Sequence, residues 1–217
     1  MATAVLTISS KNYSSWSLRG WLLCKMAGLD FHEEVMSTDD PSTRAELLLL
    51  SPSFLVPCLV NDNVKVWDTL AIAEYLAELK PEAGLLPKDI AARAHCRAIS
   101  GEMHSGFHNL RSALPMNLKA HYSGFSVWSG ALGDIERVTS IWRDCLDTYG
   151  GPFLFGTPSM ADAMYAPVCT RFLTYDVKLD SDCAGYCETI TNWAPMTEWI
   201  EAAKLEPDEL EELDVEF

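Results

Sequence analysis

Residues 51–76 read SPSFLVPCLVNDNVKVWDTLAIAEYL, and this stretch decides the fold. Cys58-Leu59-Val60 is a short apolar strand, and Asn61-Asp62-Asn63 supplies residue types that tolerate the positive φ of a tight hairpin. Val64-Lys65-Val66-Trp67 alternates as the returning strand. Asp68 then caps a helix carrying Leu70, Ala71, Ile72, Tyr75 and Leu76. Two features go beyond scaffolding. Pro57 opens a strand, where a proline withholds a ladder donor. It is a candidate cis peptide that leaves the Val56 backbone free to pair with an extended ligand. The helix opening at Asp68-Thr69 offers unpaired N–H groups and a hydroxyl suited to a carboxylate. A plain hairpin followed by a capped helix explains the same residues equally well.

Working outward, residues 5–8 predict a central strand, 9–15 a polar loop, and 16–26 a helix that Gly28 ends. A second strand is expected over 31–36 and a short helix over 41–50. The order β-α-β-α-β-β-α builds a mixed sheet with helices on both faces, the thioredoxin arrangement. Residues 80–88, KPEAGLLPK, carry two prolines and a glycine and read as a linker. From residue 89 onward no strand is evident. One long bent helix is expected over 90–121, strained by Gly101, Gly106 and Pro115, then a turn and a helix over 128–149. Ser159-Met160-Ala161-Asp162 is a capping box that opens the next helix, to about residue 175. Two short helices, over 183–191 and 196–204, precede an acidic tail, 206–216, that reads as a solvated terminus.

The chain has 217 residues, 48% hydrophobic and 22% charged, enough for two small domains of ordinary globular composition. Its net charge of −15 argues against nucleic acid or an anionic membrane as partner, since both require clustered cations. Seven cysteines without regular spacing, and no secretory signal, fit thiols in a reducing cytoplasm. No apolar run is long enough to span a bilayer.

The central stretch resembles the second half of the thioredoxin-like domain of glutathione transferases, whose pattern is Val-Pro-x-Leu, a hairpin, then Glu/Asp-Ser-x-Ala-Ile-x-x-Tyr-Leu. Val56, Pro57, Leu59, Asp68, Ala71, Ile72, Tyr75 and Leu76 match, with Thr69 in place of serine. The Ser-x-Ala-Asp box and the helical second half are also similar, so the resemblance covers nearly the whole chain. It implies an α/β thioredoxin-like N-terminal domain (1–79), a linker (80–88) and an all-α C-terminal helical domain (89–217). It further implies a cytoplasmic homodimer that uses glutathione as co-substrate against a small electrophile, with no metal, nucleic acid or membrane as partner.

Such an enzyme must hold bound glutathione as thiolate, and a hydroxyl at a helix N-terminus favours that anion. Tyr13, Ser14 and Ser15 sit where the first helix opens, although a serine there also serves as an ordinary cap. Serine-type transferases resemble this segment through Ser-x-x-x-Arg, which Ser15 and Arg19 match. Ser14 is the alternative, because the zeta class uses the first serine of a similar run. No cysteine stands at the helix start, and Cys24 and Cys58 read as buried small hydrophobes. The resemblance gives Val56 and Pro57 to the cysteinyl backbone of glutathione, and Asp68 and Thr69 to its γ-glutamyl end. Phe54-Leu55 stands where the family commonly has a polar pair.

For the acceptor side, the candidates are Tyr13, Trp16, His108, Arg111 and Arg171, with Phe54, Met103 and Phe107 as apolar lining. His104 and His108 are four apart, but a third ligand is missing, so no metal is expected. An arginine such as Arg171 at a domain interface usually pairs with a carboxylate, its own or a substrate's. Three functions follow: conjugation of glutathione to a small electrophile, glutathione-dependent isomerisation of the zeta (maleylacetoacetate isomerase) type, or a non-catalytic module on the same fold.

Overall fold

The computed structural model describes residues 4–36 and 56–206. The helix expected over 41–50, Phe54-Leu55 and the acidic tail beyond Glu206 lie outside them. Strand β1 (Ala4–Ile8) alternates buried and half-buried side chains, with Ala4, Leu6 and Ile8 turned into the core. β2 (Phe31–Val35) runs parallel to it, Ala4 opposite Phe31. β3 (Cys58–Asn61) pairs antiparallel on the other side, Leu6 opposite Leu59, and β4 (Val64–Trp67) completes the order β2-β1-β3-β4. The two-residue turn between β3 and β4 sets Asp62 at φ 53°, the left-handed conformation that aspartate tolerates.

Helix α1 (Ser15–Met26) links β1 to β2, with Leu18, Trp21, Leu22 and Leu23 in the core, and the chain leaves it through Gly28 at φ 61°. The Val56-Pro57 peptide is cis, as expected, and Pro57 is buried against α1. Gly20 makes that approach possible: a Cβ there would stand 2.4 Å from Pro57 Cγ. Helix α2 (Thr69–Leu79) follows β4 and is capped by Asp68.

After a short 3-10 turn (Pro81–Ala83), Asp89 caps α3 (Ile90–Ser105) through the N–H groups of Ala91 and Ala92. The single bent helix expected over 90–121 is a correction: there are two helices and a coil. Gly106 adopts an extended backbone and Phe107 a left-handed one, φ 56°, so the hydrogen-bond ladder breaks between them. The second helix, α4 (His108–Ala113), stops short of Pro115, whose ring disfavours helical backbone at the residue before it. α5 (Ser129–Tyr149) ends at Gly150, φ 70°.

α6 (Met160–Thr174) is buried along nearly its whole length and packs against α1, α3 and α7 (Ser181–Asn192); α8 (Ala194–Lys204) follows. The capping box is formed at α6: Asp162 accepts from the Ser159 N–H at 2.8 Å and its hydroxyl at 2.9 Å. Its other oxygen accepts from the Leu154 N–H and the Tyr186 hydroxyl, both at 3.0 Å. Burial pushes this carboxyl up to about 6, against the downward pull of those four hydrogen bonds. Glu206 corrects the reading of the tail as solvated from its first residue, because its carboxylate is bonded to the loop before α1.

Candidate functional site

The site lies where α1 and α2 open, facing α3 and α6. Asp68 is held at φ 75°; its Oδ1 accepts from the Leu70 N–H at 2.8 Å, capping α2. Its Oδ2 is 2.6 Å from His104 Nε2 on α3. Thr69 is buried at the first turn, and its Oγ1 has no hydrogen-bond partner among the described residues. A buried, unpartnered hydroxyl at a helix opening suits a carboxylate, and the adjoining Asp68 carboxylate suits an ammonium group. Together they fit the zwitterionic end of an amino acid.

The two serines separate cleanly. Ser14 is the N-cap of α1: its Oγ accepts from the Ser17 N–H at 3.2 Å and donates to Ser17 Oγ at 2.9 Å. Ser15 is the first helical residue, 7% exposed, and its Oγ accepts from Arg171 Nη2 at 3.1 Å. Among the described residues the Ser15 hydroxyl proton has no acceptor. Tyr13 is half-buried, its N–H bonded to Ser10 Oγ at 3.2 Å.

Around Ser15 and Trp16 three arginines converge. The guanidinium carbons of Arg19 and Arg111 lie 4.5 and 5.5 Å from its ring centre. Arg19 donates to the carbonyls of Met164 (2.8 Å) and Ser15 (3.2 Å), and Arg171 to those of Arg111 (3.2 Å) and Leu114. None of the three forms an ion pair with a carboxylate among the described residues, which leaves, of the two partners expected for Arg171, that of a substrate. Arg19 Nη2 and Arg171 Nε are buried without hydrogen-bond partners among the described residues. Burial, then repulsion from Arg171 and Arg111, holds Arg19 well below its ordinary value. Burial brings Arg171 down to about 10, with the Arg111 charge adding to it. In a chain of net charge −15, this is a local concentration of positive charge; the Asp134 carboxylate acts on Arg111 from beyond ion-pair distance, and no carboxylate among the described residues pairs directly with any of the three.

The remaining candidates fall elsewhere. His108 is exposed on the first turn of α4, and the break at Gly106 removes the helical spacing that related it to His104. Met103 and Phe107, expected as pocket lining, are packed into the core. Cys24 and Cys58 are buried; desolvation lifts the Cys24 thiol to about 12 and raises that of Cys58, so neither is poised as a thiolate. Sequence reasoning missed His104 as the partner of Asp68 and Arg19 as a member of the cluster. Arg19 was legible as the end of the Ser-x-x-x-Arg pattern; His104 carried no such signal.

Two family domains match the chain: the glutathione S-transferase N-terminal domain over residues 13–79 and the C-terminal domain over 92–204. The chain belongs to the glutathione S-transferase family. Among curated relatives, a probable maleylacetoacetate isomerase of Caenorhabditis elegans is 36% identical over 71% of this chain and 72% of its own length. The maleylacetoacetate isomerase of Rattus norvegicus is 30% identical over 76% of each. Among solved structures, a maleylacetoacetate isomerase from Anaeromyxobacter dehalogenans 2CP-1, with glutathione in its active site, superposes with a TM-score of 0.66. It covers 95% of this chain and 97% of its own at 23% identity. The four-stranded mixed sheet and helical second half are therefore the glutathione S-transferase fold, as the resemblance implied. Among the described residues no helix is long and apolar enough to cross a membrane.

Proposed function

We propose that this glutathione S-transferase uses glutathione against a small acceptor that carries a carboxylate, with isomerisation of an unsaturated diacid of the maleylacetoacetate type as its reaction. The observation that carries this reading is the trio Arg19, Arg111 and Arg171, gathered at Ser15 and Trp16 without a carboxylate partner among the described residues. Arg19 and Arg171 are buried and Arg111 half-buried, and buried guanidinium groups left unpaired are costly unless an anion completes them. The named isomerase relatives support the same choice.

Within it, Asp68 and Thr69 take the γ-glutamyl end of glutathione, and Val56 beside Pro57 pairs with its cysteinyl backbone. Ser15 donates its free hydroxyl proton to the sulfur, made a better donor by the Arg171 guanidinium on its oxygen. Ser14 caps the helix. Glutathione supplies the nucleophile: its thiolate adds to the conjugated double bond, electrons moving onto the carbonyl, and leaves again after rotation about the resulting single bond. Arg111 and Arg171 hold the acceptor carboxylate, with Trp16 as the wall; Tyr13 and His108 are kept as outer contacts. Ordinary conjugation to a neutral electrophile needs the same thiolate but leaves the arginines unused.

We also assign the chain a thioredoxin-like unit over 1–79, a linker over 80–88 and a helical unit over 89–217, working as a homodimer. A reducing cytoplasm suits the seven cysteines, all buried as free thiols. The test is a panel of unsaturated mono- and diacids beside neutral electrophiles, on wild type and Arg111→Met. The carboxylated acceptors should be preferred, and Arg111→Met should cost them about 10- to 100-fold in kcat/KM while sparing neutral ones. Equal turnover of charged and neutral acceptors by wild type would refute the reading.

A further inference from the structure

Ser15 is only as well placed as the loop that delivers it, and that loop is tied down by a residue distant in sequence, Glu206. The Glu206 carboxylate receives the Ser10 hydroxyl at 2.7 Å, the Lys11 N–H at 2.5 Å and the Asn12 N–H at 3.1 Å. Two consecutive backbone N–H groups and a hydroxyl closing on one carboxylate form an anion nest, and charge-assisted bonds of this type are about twice as strong as neutral ones. Glu206 is itself held, its carbonyl accepting from Lys119 Nζ. Ser10 Oγ, oriented by its donation to Glu206, accepts from the Asn12 and Tyr13 N–H groups, and the Ser14 N–H bonds to the Ser10 carbonyl. A continuous series of hydrogen bonds thus runs from Glu206 to the N-cap of α1.

Other contacts hold the loop but do not duplicate this one. The Trp199 indole donates to the Lys11 carbonyl at 2.9 Å, and Asn12 accepts from the Leu118 and Lys119 N–H groups. They engage a carbonyl and a side chain; only Glu206 satisfies the Lys11 N–H among the described residues.

We infer that Glu206 is a positioning residue of the active site: its carboxylate sets the loop carrying Ser14 and Ser15, and so the ionisation of the thiol that Ser15 faces. The second half of this statement rests on the proposed role of Ser15; the first does not. Because the γ-glutamyl anchor lies on another element, at Asp68 and Thr69, loss of Glu206 should act on kcat far more than on the KM for glutathione.

The experiment compares wild type, Glu206→Gln and Glu206→Ala in the full chain, by amide hydrogen exchange and by the ultraviolet thiolate band of bound glutathione as a function of pH. In Glu206→Ala, protection of the Lys11 and Asn12 amides should be lost while that of β1 and β3 stays. Misplacement by about 1 Å can cost on the order of a hundredfold, so kcat should fall at least about tenfold, with KM for glutathione within about twofold. The bound thiol should titrate at higher pH, and Glu206→Gln, which keeps one acceptor oxygen and the shape, should lie between. Unchanged loop protection in the alanine variant overturns the inference. So does lost protection with unaltered thiol titration and kcat. Should the alanine variant fail to fold, the glutamine variant decides by the same readings. If wild type forms no glutathione thiolate, it is the proposed role of Ser15 that fails, and hydrogen exchange alone decides whether Glu206 holds the loop.

Discussion

Replacing each serine at the opening of α1 by alanine should have opposite consequences. Ser15 Oγ accepts from the Arg171 guanidinium at 3.1 Å and its proton has no acceptor among the described residues, which is why it is the proposed donor to the sulfur; Ser14 has committed its proton to Ser17. A hydrogen bond to a charged group is worth about 1.5–3 kcal/mol, and one pKa unit corresponds to about 1.4 kcal/mol. Ser15→Ala should therefore raise the pKa of the bound thiol by about one to two units and lower the rate at neutral pH by roughly 10- to 100-fold. The sign follows from the donor stabilising the anion, so its loss favours the neutral thiol and the deficit should shrink as pH rises. Ser14→Ala removes a helix cap instead, costing about 1 kcal/mol of stability with the thiol titration in place. The assay is the thiolate band against pH on glutathione-saturated protein, paired with thermal melts. A normal titration in Ser15→Ala and a displaced one in Ser14→Ala would refute the assignment.

Three further outcomes follow from the geometry. His104→Ala should raise the KM for glutathione about two- to fivefold, with kcat less affected, because a half-exposed partner of Asp68 is worth about 0.5–1 kcal/mol; steady-state kinetics with glutathione varied measures it. Gly20→Ala drives a methyl to within 2.4 Å of Pro57 Cγ and should destabilise the protein by about 1–3 kcal/mol in urea titration, with the Val56 contact to glutathione weakened. Asp162 has a folded-state carboxyl raised to about 6 from an ordinary 3.8, so the native state binds its proton more tightly than the unfolded chain. Its contribution is present in full below about pH 4 and is lost as pH climbs to about 6, at most roughly 3 kcal/mol. The stability of wild type minus that of Asp162→Asn should fall by that order between pH 4 and 7; a flat difference would contradict it.

The local elements of this protein were legible from residue order alone. The hairpin at Asp62-Asn63, the Asp68 cap, the Ser159–Asp162 box and the cis Val56-Pro57 bond each depend on a few neighbouring residues, and their chemistry is written in residue type. The run over 90–121 misled because glycine within a helical pattern signals only a local cost; whether Gly106 bends or breaks the helix depended on what Phe107 could bury. For the same reason Ser14 and Ser15 were indistinguishable in sequence, since either serine suits a helix opening.

What tertiary structure alone decided is the pairing of distant groups. Arg171 meets Ser15 across 156 residues, His104 meets Asp68 across 36, and Glu206 reaches Lys11 across 195. For Arg171 the sequence left open a carboxylate of the protein or of a substrate; among the described residues its guanidinium meets backbone carbonyls and a hydroxyl. Residue identity determines what hydrogen bonds and charges a side chain offers. Only the packing of α6 on α1, and of Glu206 on the loop before α1, determines which groups accept them.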